Sequence, residues 1–415
     1  MRLLKRTMLG LTLAASVGMT AGPAAAQDTI KMGALATLEG AFTVMGEDGL
    51  RGVKLALEEV GYEVGGKKIE LIEGSSDASP DSAVRAARKL VEQDGVEVLI
   101  GPLSGSEGLA VKDYAKTQPD VTFLNGSSAA QDTTLRDPAE NFFRFSTDGA
   151  QWMAGLGEYA YEEKGYRNVV VIAEDYSFPY TQVQGFMLPF CELGGKVVDK
   201  HWVPIGNKDY SSIIAALPFD IDAIYVALGG ADAINFLSQY QQAGGEAPLI
   251  GGSITVDQTV LGSKGQRADY VAGTPSAGPI ADNWDDPRWQ KFVAAYKEQF
   301  PDGFPSPSLF AHAYYVNTKA AVLALEEVGG DLSDGGAKYR EVLSTLEFET
   351  PTGMVKLDEN RNAIADIFLT EVAKGDDGLY NKVVKVIHDV NQTLGVPREE
   401  FMSYGPVGRD NPDCS

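Results

Sequence analysis

The sequence predicts an α/β protein built as two doubly wound parallel-sheet lobes. Three observations point there. Short apolar strands alternate with amphipathic helices of about 12 to 16 residues from Ile30 onward. The alternation starts afresh near residue 150. The stretch from 286 to 330 is helical without strands of its own, so it must pack on a sheet made earlier.

The first series runs "IKMGALA" (strand), "GEDGLRGVKLALEEV" (helix), "KKIELIEGSS" (strand) and "SPDSAVRAARKLVEQDG" (helix). That second helix is well punctuated, with Ser79 as N-cap, Pro80 at the first helical position and Gly95 as terminator. "VEVLIG", "GSEGLAVKDYAK" and "VTFLNG" close the series. The second begins with one helix, "AQWMAGLGEYAYEEKG", before the strand "NVVVIA" and the helix "PYTQVQGFMLPFCELGG". "KVVDKHWV", "DAIYVAL" and "APLIGG" read as further strands, with helices "DYSSIIAAL" and "GADAINFLSQYQQAG" between them. Two helical stretches follow, expected to return to the first lobe, and "ADIFLTEVA" is strand-like and crosses back.

The N-terminus reads as a secretory signal peptide: "MRLLKR", an apolar core, and Ala24–Ala26 as a small-residue cleavage site. Cleavage after Ala26 would leave 389 of the 415 residues, and losing Arg2, Lys5 and Arg6 would take the net charge from −23 to −26. Gln27 follows the cut, where a lipid-anchored product would have cysteine. No later stretch is long and apolar enough to span a bilayer, so the expected product is exported into a periplasm and not membrane-inserted. So acidic a chain repels phosphate backbones and anionic lipids, which argues against nucleic acid as a partner. An anionic ligand would have to be held by local backbone dipoles. Cys191 and Cys414 are the only cysteines; in an oxidising compartment two is the number for one disulfide, and two free thiols are the alternative. His201, His312 and His388 are scattered and no CxxC occurs, so no metal site and no cofactor is expected.

In open α/β sheets small ligands bind at the carboxyl ends of strands, beside the starts of the following helices. Four such ends carry glycine and serine: "GPLSGSEG", "NGSSAAQD", "GGAD" and "GGSITVD". Bare N–H groups and hydroxyls at a helix start can grip a carboxylate or carbonyl oxygen.

Taken with "GAFTVMGEDGLRGVKLALEEV", "DYSFPYTQVQGF" and "TPTGMVKLDENRNA", these turns give the chain a resemblance to a known family. It resembles the type I periplasmic solute-binding proteins of branched-chain amino-acid ABC transporters, the Leu/Ile/Val-binding family. That resemblance implies two lobes closing over a small solute, delivery to an inner-membrane permease, and a three-segment hinge near Phe145–Asp148, Thr274–Pro279 and Pro351–Gly353. The signal peptide is 1–26; lobe I comprises 27–146 and 279–351; lobe II comprises 147–278 and 352–415 with the C-terminal tail. The family's carboxylate-binding serine falls at Gly105, flanked by Ser104 and Ser106, and its next contact loop at Ser127, Ser128 and Ala129. The covering aromatic falls at Phe178, with Tyr176 and Tyr180 two residues to either side; Phe42 is a second cleft aromatic. Gly229 and Gly230 form a helix start over the ligand. The acidic residue that pairs with a ligand ammonium falls at Ser253, which cannot neutralise a buried cation. Glu39 is the leading substitute, with Asp77 and Asp257 behind it.

Three function classes are compatible with such a chain. A transport receptor fits the export signal and the absence of catalytic groups. An exported hydrolase or dehydrogenase would need a nucleophile–base pair or GxGxxG, and "GALATLEGAF" supplies neither. A sensory ligand-binding module shares the fold. The solute expected is a branched-chain or other apolar amino acid. The alternative is a carboxylate or amide without an amine, aromatic or short-chain. A monomer is the default for a shuttle.

Overall fold

A computed structural model describes residues 29–263 and 268–414; the expected signal peptide lies outside the described residues. In lobe I, β1 (Thr29–Thr37) leads to α1 (Thr43–Glu58), β2 (Glu63–Val64), β3 (Lys67–Ser76) and α2 (Pro80–Arg88). Then come β4 (Val98–Ile100), α3 (Gly105–Ala115), β5 (Thr122–Leu124) and β6 (Phe142–Phe143). The chain crosses to lobe II through α4 (Gly149–Trp152) and α5 (Leu156–Glu162). It continues with β7 (Asn168–Glu174), α6 (Ser177–Glu192), β8 (Lys196–Val203), α7 (Ser211–Ala216) and β9 (Ala223–Ala227). After α8 (Gly230–Gln242) come β10 (Leu249–Gly251), α9 (Gln258–Leu261), α10 (Ala268–Val271) and β11 (Pro275–Gly278). Next are α11 (Pro287–Gln299), α12 (Leu309–Glu327) and α13 (Ala337–Thr345), then β12 (Phe348–Thr350) and β13 (Gly353–Leu357). Last come β14 (Ala363–Gly375), β15 (Gly378–Val390) and α14 (Arg398–Ser403).

The two lobes repeat one topology. Sheet I runs β2-β3-β1-β4-β5-β6, and the core of sheet II runs β8-β7-β9-β10-β11. Apart from the β2–β3 hairpin these strands are parallel. Each lobe therefore has its strand-order reversal beside its first strand, at β1/β4 and β7/β9, where a doubly wound sheet opens a crevice. Both faces of each sheet are covered, so β4, β5 and β9 are buried along their whole length. After β11 the chain returns to lobe I, where α12 lies against α1. Gly49 and Gly52 allow it: a Cβ at Gly52 would stand 2.0 Å from the Ala311 carbonyl oxygen, and one at Gly49 2.8 Å from the Tyr314 ring.

Helix ends follow the residues that signal them. Ser79 caps α2 by accepting from the Ser82 N–H. Ser104 and Glu107 form a capping box on α3. Two features depart from the sequence reading. The helix expected over "AQWMAGLGEYAYEEKG" is split into α4 and α5, because Gly155 adopts φ +79° and lets Ile387 pack where a Cβ would stand 3.1 Å from it. Sheet II is also longer than a parallel series: β14 pairs antiparallel with β11 and β15 with β14.

Where the chain first leaves lobe I, a cation is fully enclosed. Arg144 is 0% exposed and donates to Asn362 Oδ1, the Ala130 carbonyl oxygen and Thr134 Oγ1, each at 2.6 Å, with Asp148 3.7 Å away. Asp148 caps α4 through the Ala150 and Gln151 N–H groups, and Gln392 donates to its other oxygen. Burial lowers the Arg144 pKa to about 10, with Asp148 working against that shift.

The C-terminal tail reaches both lobes. Arg136 donates to the Gly405 carbonyl oxygen, and Lys200 and Trp202 donate to those of Pro412 and Arg409. Cys191, at the end of α6, is disulfide-bonded to Cys414 across 223 residues of sequence. Among the described residues no helix is long and apolar enough to cross a membrane, and no cluster of His, Cys, Asp and Glu could hold a metal ion.

Replacing Arg144 by Ala leaves Asp148 buried without its cation. The expected loss is about 3–5 kcal/mol of unfolding free energy, read by urea titration. Cys414→Ser should cost about 2–4 kcal/mol in the same measurement, and reductant should bring the parent chain to the same value.

Candidate functional site

Between the lobes lies a narrow cavity of about 10 Å³, room for about one water molecule. Lobe I and α12 supply Met45, Leu103, Ser104, Gly105, Ser127 and Phe310; the other side supplies Trp152, Tyr176, Phe178 and Ile254. None of these ten side chains is charged. Trp152 stands edge-on to Phe178 with ring centroids 5.4 Å apart and spends its indole N–H on Thr147 at 2.8 Å, so it offers the cavity a ring surface. The α3 N-terminus supplies the polar end. The first backbone N–H groups of a helix have no intrahelical acceptor, and those here belong to Gly105 and Ser106. The Ser104 hydroxyl donates to the Ala78 carbonyl oxygen, and that of Ser127 to the Leu103 carbonyl oxygen.

The lobes touch directly around this cavity, and glycine sets the distance. A Cβ on Gly105 would stand 2.8 Å from Phe178 Cβ and 2.9 Å from its backbone nitrogen. One on Gly230 would be 2.7 Å from the Ala41 carbonyl oxygen. Beside them the Ser106 and Ser177 hydroxyls hydrogen-bond at 3.1 Å.

Of the residues singled out in the sequence, Ser104, Gly105, Ser127 and Phe178 are brought together here. The others are placed elsewhere, for local reasons. Ser106 bridges to lobe II instead of facing the cavity. Ser128 turns its hydroxyl toward α3, where a Cβ on Gly108 would meet it. Phe42 is core, 6.0 Å from the Tyr176 ring. Gly229 packs on Met45 and Ile254, and its N–H is taken by Glu174 at 3.0 Å. The Ser253 hydroxyl accepts from the Gln182 amide at 2.6 Å. Glu39 stands exposed at the rim, accepting from Ser75. Asp77 holds the Ser79 N–H and hydroxyl in the turn before α2. Asp257 accepts from the Thr259 N–H at 2.9 Å and the Leu309 N–H at 2.8 Å, which fixes the start of α12 and so the placement of Phe310. Tyr180 faces Asp175 near the tail.

Sequence reasoning missed Met45, Leu103, Trp152, Ile254 and Phe310, and saw Tyr176 only as a neighbour of Phe178. It also missed two carboxyls buried behind the wall. Glu107, 0% exposed, accepts from the Ser104 N–H at 2.8 Å and the Thr37 hydroxyl at 3.1 Å. Its S-x-x-E spacing with Ser104 was the available signal. Glu174 is equally enclosed. Burial raises both pKa values, and that of Glu174 lies well above the usual carboxylate range.

The profile of the family described as "Periplasmic binding protein" matches residues 29–377. The chain belongs to that family, and with it to the substrate-binding components that ABC importers use. It is 26% identical over 377 residues to the Leu/Ile/Val-binding protein homolog 6 of Brucella melitensis, covering 90% of this chain and 95% of the relative. An ABC transporter substrate-binding protein from Sphaerobacter thermophilus superposes with TM-score 0.78 at 31% identity, over 88% of this chain and 99% of that one. A solute-binding protein of an ABC transporter from Rhodopseudomonas palustris BisB5, solved in complex with 3,4-dihydroxybenzoic acid, gives TM-score 0.80 at 26% identity over the same shares.

Burial pushes the Asp257 carboxyl up to about 7, with the charge of Asp48 adding to the shift. The folded chain therefore keeps a proton that the unfolded chain releases near pH 4. Stability on this account falls as pH rises from about 4 to about 7 and is level above. Asp257→Asn should remove that slope, on the order of a few kcal/mol, when unfolding free energy is measured from pH 4 to pH 8.

Proposed function

We propose that this protein captures a small carboxylate with an apolar, aromatic body and no amine, and delivers it to an inner-membrane ABC permease. The observation that carries the reading is the cavity wall. It has four aromatic residues and no charged side chain, and the start of α3, at Ser104 and Gly105, lines it. A buried ammonium would find no carboxylate among the lining residues, and leaving it unpaired costs several kcal/mol. A carboxylate would meet the positive end of α3. The dihydroxybenzoate complex of the R. palustris relative supports the same class. The apolar amino-acid reading is supported by the Brucella relatives, named as Leu/Ile/Val-binding homologs.

The proposal includes a signal peptide ending at Ala26, a periplasmic monomer, and a hinge formed by Phe145–Asp148, Thr274–Pro279 and Pro351–Gly353. In the cycle, an open form takes the carboxylate on α3 of lobe I. Rotation about the hinge then brings Phe178 and Tyr176 over the solute's body. Closure is favoured only because the solute gains contacts with both lobes at once.

Thermal unfolding with benzoate, 4-hydroxybenzoate and leucine tests the class. An aromatic acid at about one hundred times its Kd should add about 2.7 kcal/mol of stability, and leucine should add none. A leucine shift larger than that of either acid would establish the amino-acid reading instead. In Gly105→Leu the new side chain occupies the space of Phe178, so the shift with the aromatic acid should disappear while unfolding without ligand stays cooperative.

A further inference from the structure

On the lobe II side of the cavity, Phe178 and Ile254 are apolar and the Trp152 N–H is already bonded to Thr147. Only Tyr176 brings a polar group that none of these contacts uses. Its ring is fixed between Phe42 and Phe178, with centroids 6.0 and 6.1 Å away. Tyr176 is half-buried, and desolvation together with the charges of Glu174, of Glu107 from the opposite lobe and of Asp232 keeps its hydroxyl a neutral phenol. Glu174 is 0% exposed. One of its oxygens takes the Gly229 N–H, and the other makes no hydrogen bond of normal geometry, although the Tyr176 hydroxyl and Asp232 lie next to it. The wall facing α3 thus ends in the Tyr176 hydroxyl, beside a Glu174 oxygen that takes no hydrogen bond of normal geometry.

We infer that Tyr176 is a specificity-determining residue that selects a hydroxylated aromatic acid over the unsubstituted one. Its hydroxyl, backed by Glu174, pairs with a hydroxyl on the solute's ring while the solute's carboxylate rests at the α3 start. The inference rests on the aromatic-carboxylate reading above and adds the ring substituent to it. A site built to hydrogen-bond a substrate hydroxyl discriminates strongly against the analogue without it, because that analogue leaves buried polar groups unpaired. An apolar pocket that merely tolerates a hydroxyl does not.

Calorimetric titration of the exported chain and of Tyr176→Phe with benzoate, 3-hydroxybenzoate and 4-hydroxybenzoate tests this. The parent chain should bind at least one hydroxy acid about tenfold or more tighter than benzoate. Tyr176→Phe, which keeps the ring and its packing, should abolish that preference. Equal affinity of the parent chain for all three acids, tighter binding of benzoate, or a preference that survives in Tyr176→Phe overturns the inference and leaves the aromatic-acid reading standing. Binding of leucine with none of the three acids overturns both.

Discussion

The structure is organised around one enclosed cation. Arg144 sits where the chain first leaves lobe I, and its guanidinium gathers the loop after β5, the turn before β14 and the cap of α4 onto a single point. These segments are far apart in sequence, and a buried charge tolerates little displacement because each lost hydrogen bond strands it in low dielectric. The crossing region therefore has a fixed geometric origin.

Two further constraints shape the cleft from that origin. Backbone N–H groups at helix starts give it local positive character inside a strongly acidic protein. Glycine at 105 and 230 allows backbone to approach backbone across the cleft, which no side-chain-bearing residue would permit at those distances. The cavity that remains is small, apolar and flat-walled. Among its lining residues there is no carboxylate to pair with an amine.

Much of the fold could be read from the sequence, since buried parallel strands leave uninterrupted apolar runs and helices announce their ends with Ser79, Pro80 and Gly95. The break at Gly155 could not, because it answers to Ile387, more than two hundred residues downstream. Site legibility divides along the same line. Ser104, Gly105 and Ser127 lie at strand ends, where topology alone predicts a ligand. Phe310 and Trp152 reach the cavity by tertiary packing, and no local pattern marks them. Ser106 and Gly229 illustrate the opposite error: they stand at the right corners, but their polar groups are already used by Ser177 and Glu174. A position in a fold tells which backbone atoms approach a cleft and leaves open which of them are spoken for.

The tail that returns to α6 has a consequence for biogenesis. Lobe II acquires β14 and β15 only from the last quarter of the chain, and its covalent closure uses the next-to-last residue, Cys414. A chain that ends before β14 therefore has an unzipped sheet edge at β11 and an unpaired thiol at Cys191. Completion of this lobe follows synthesis of β14, β15 and Cys414, and a chain cut before Cys414 lacks its clasp.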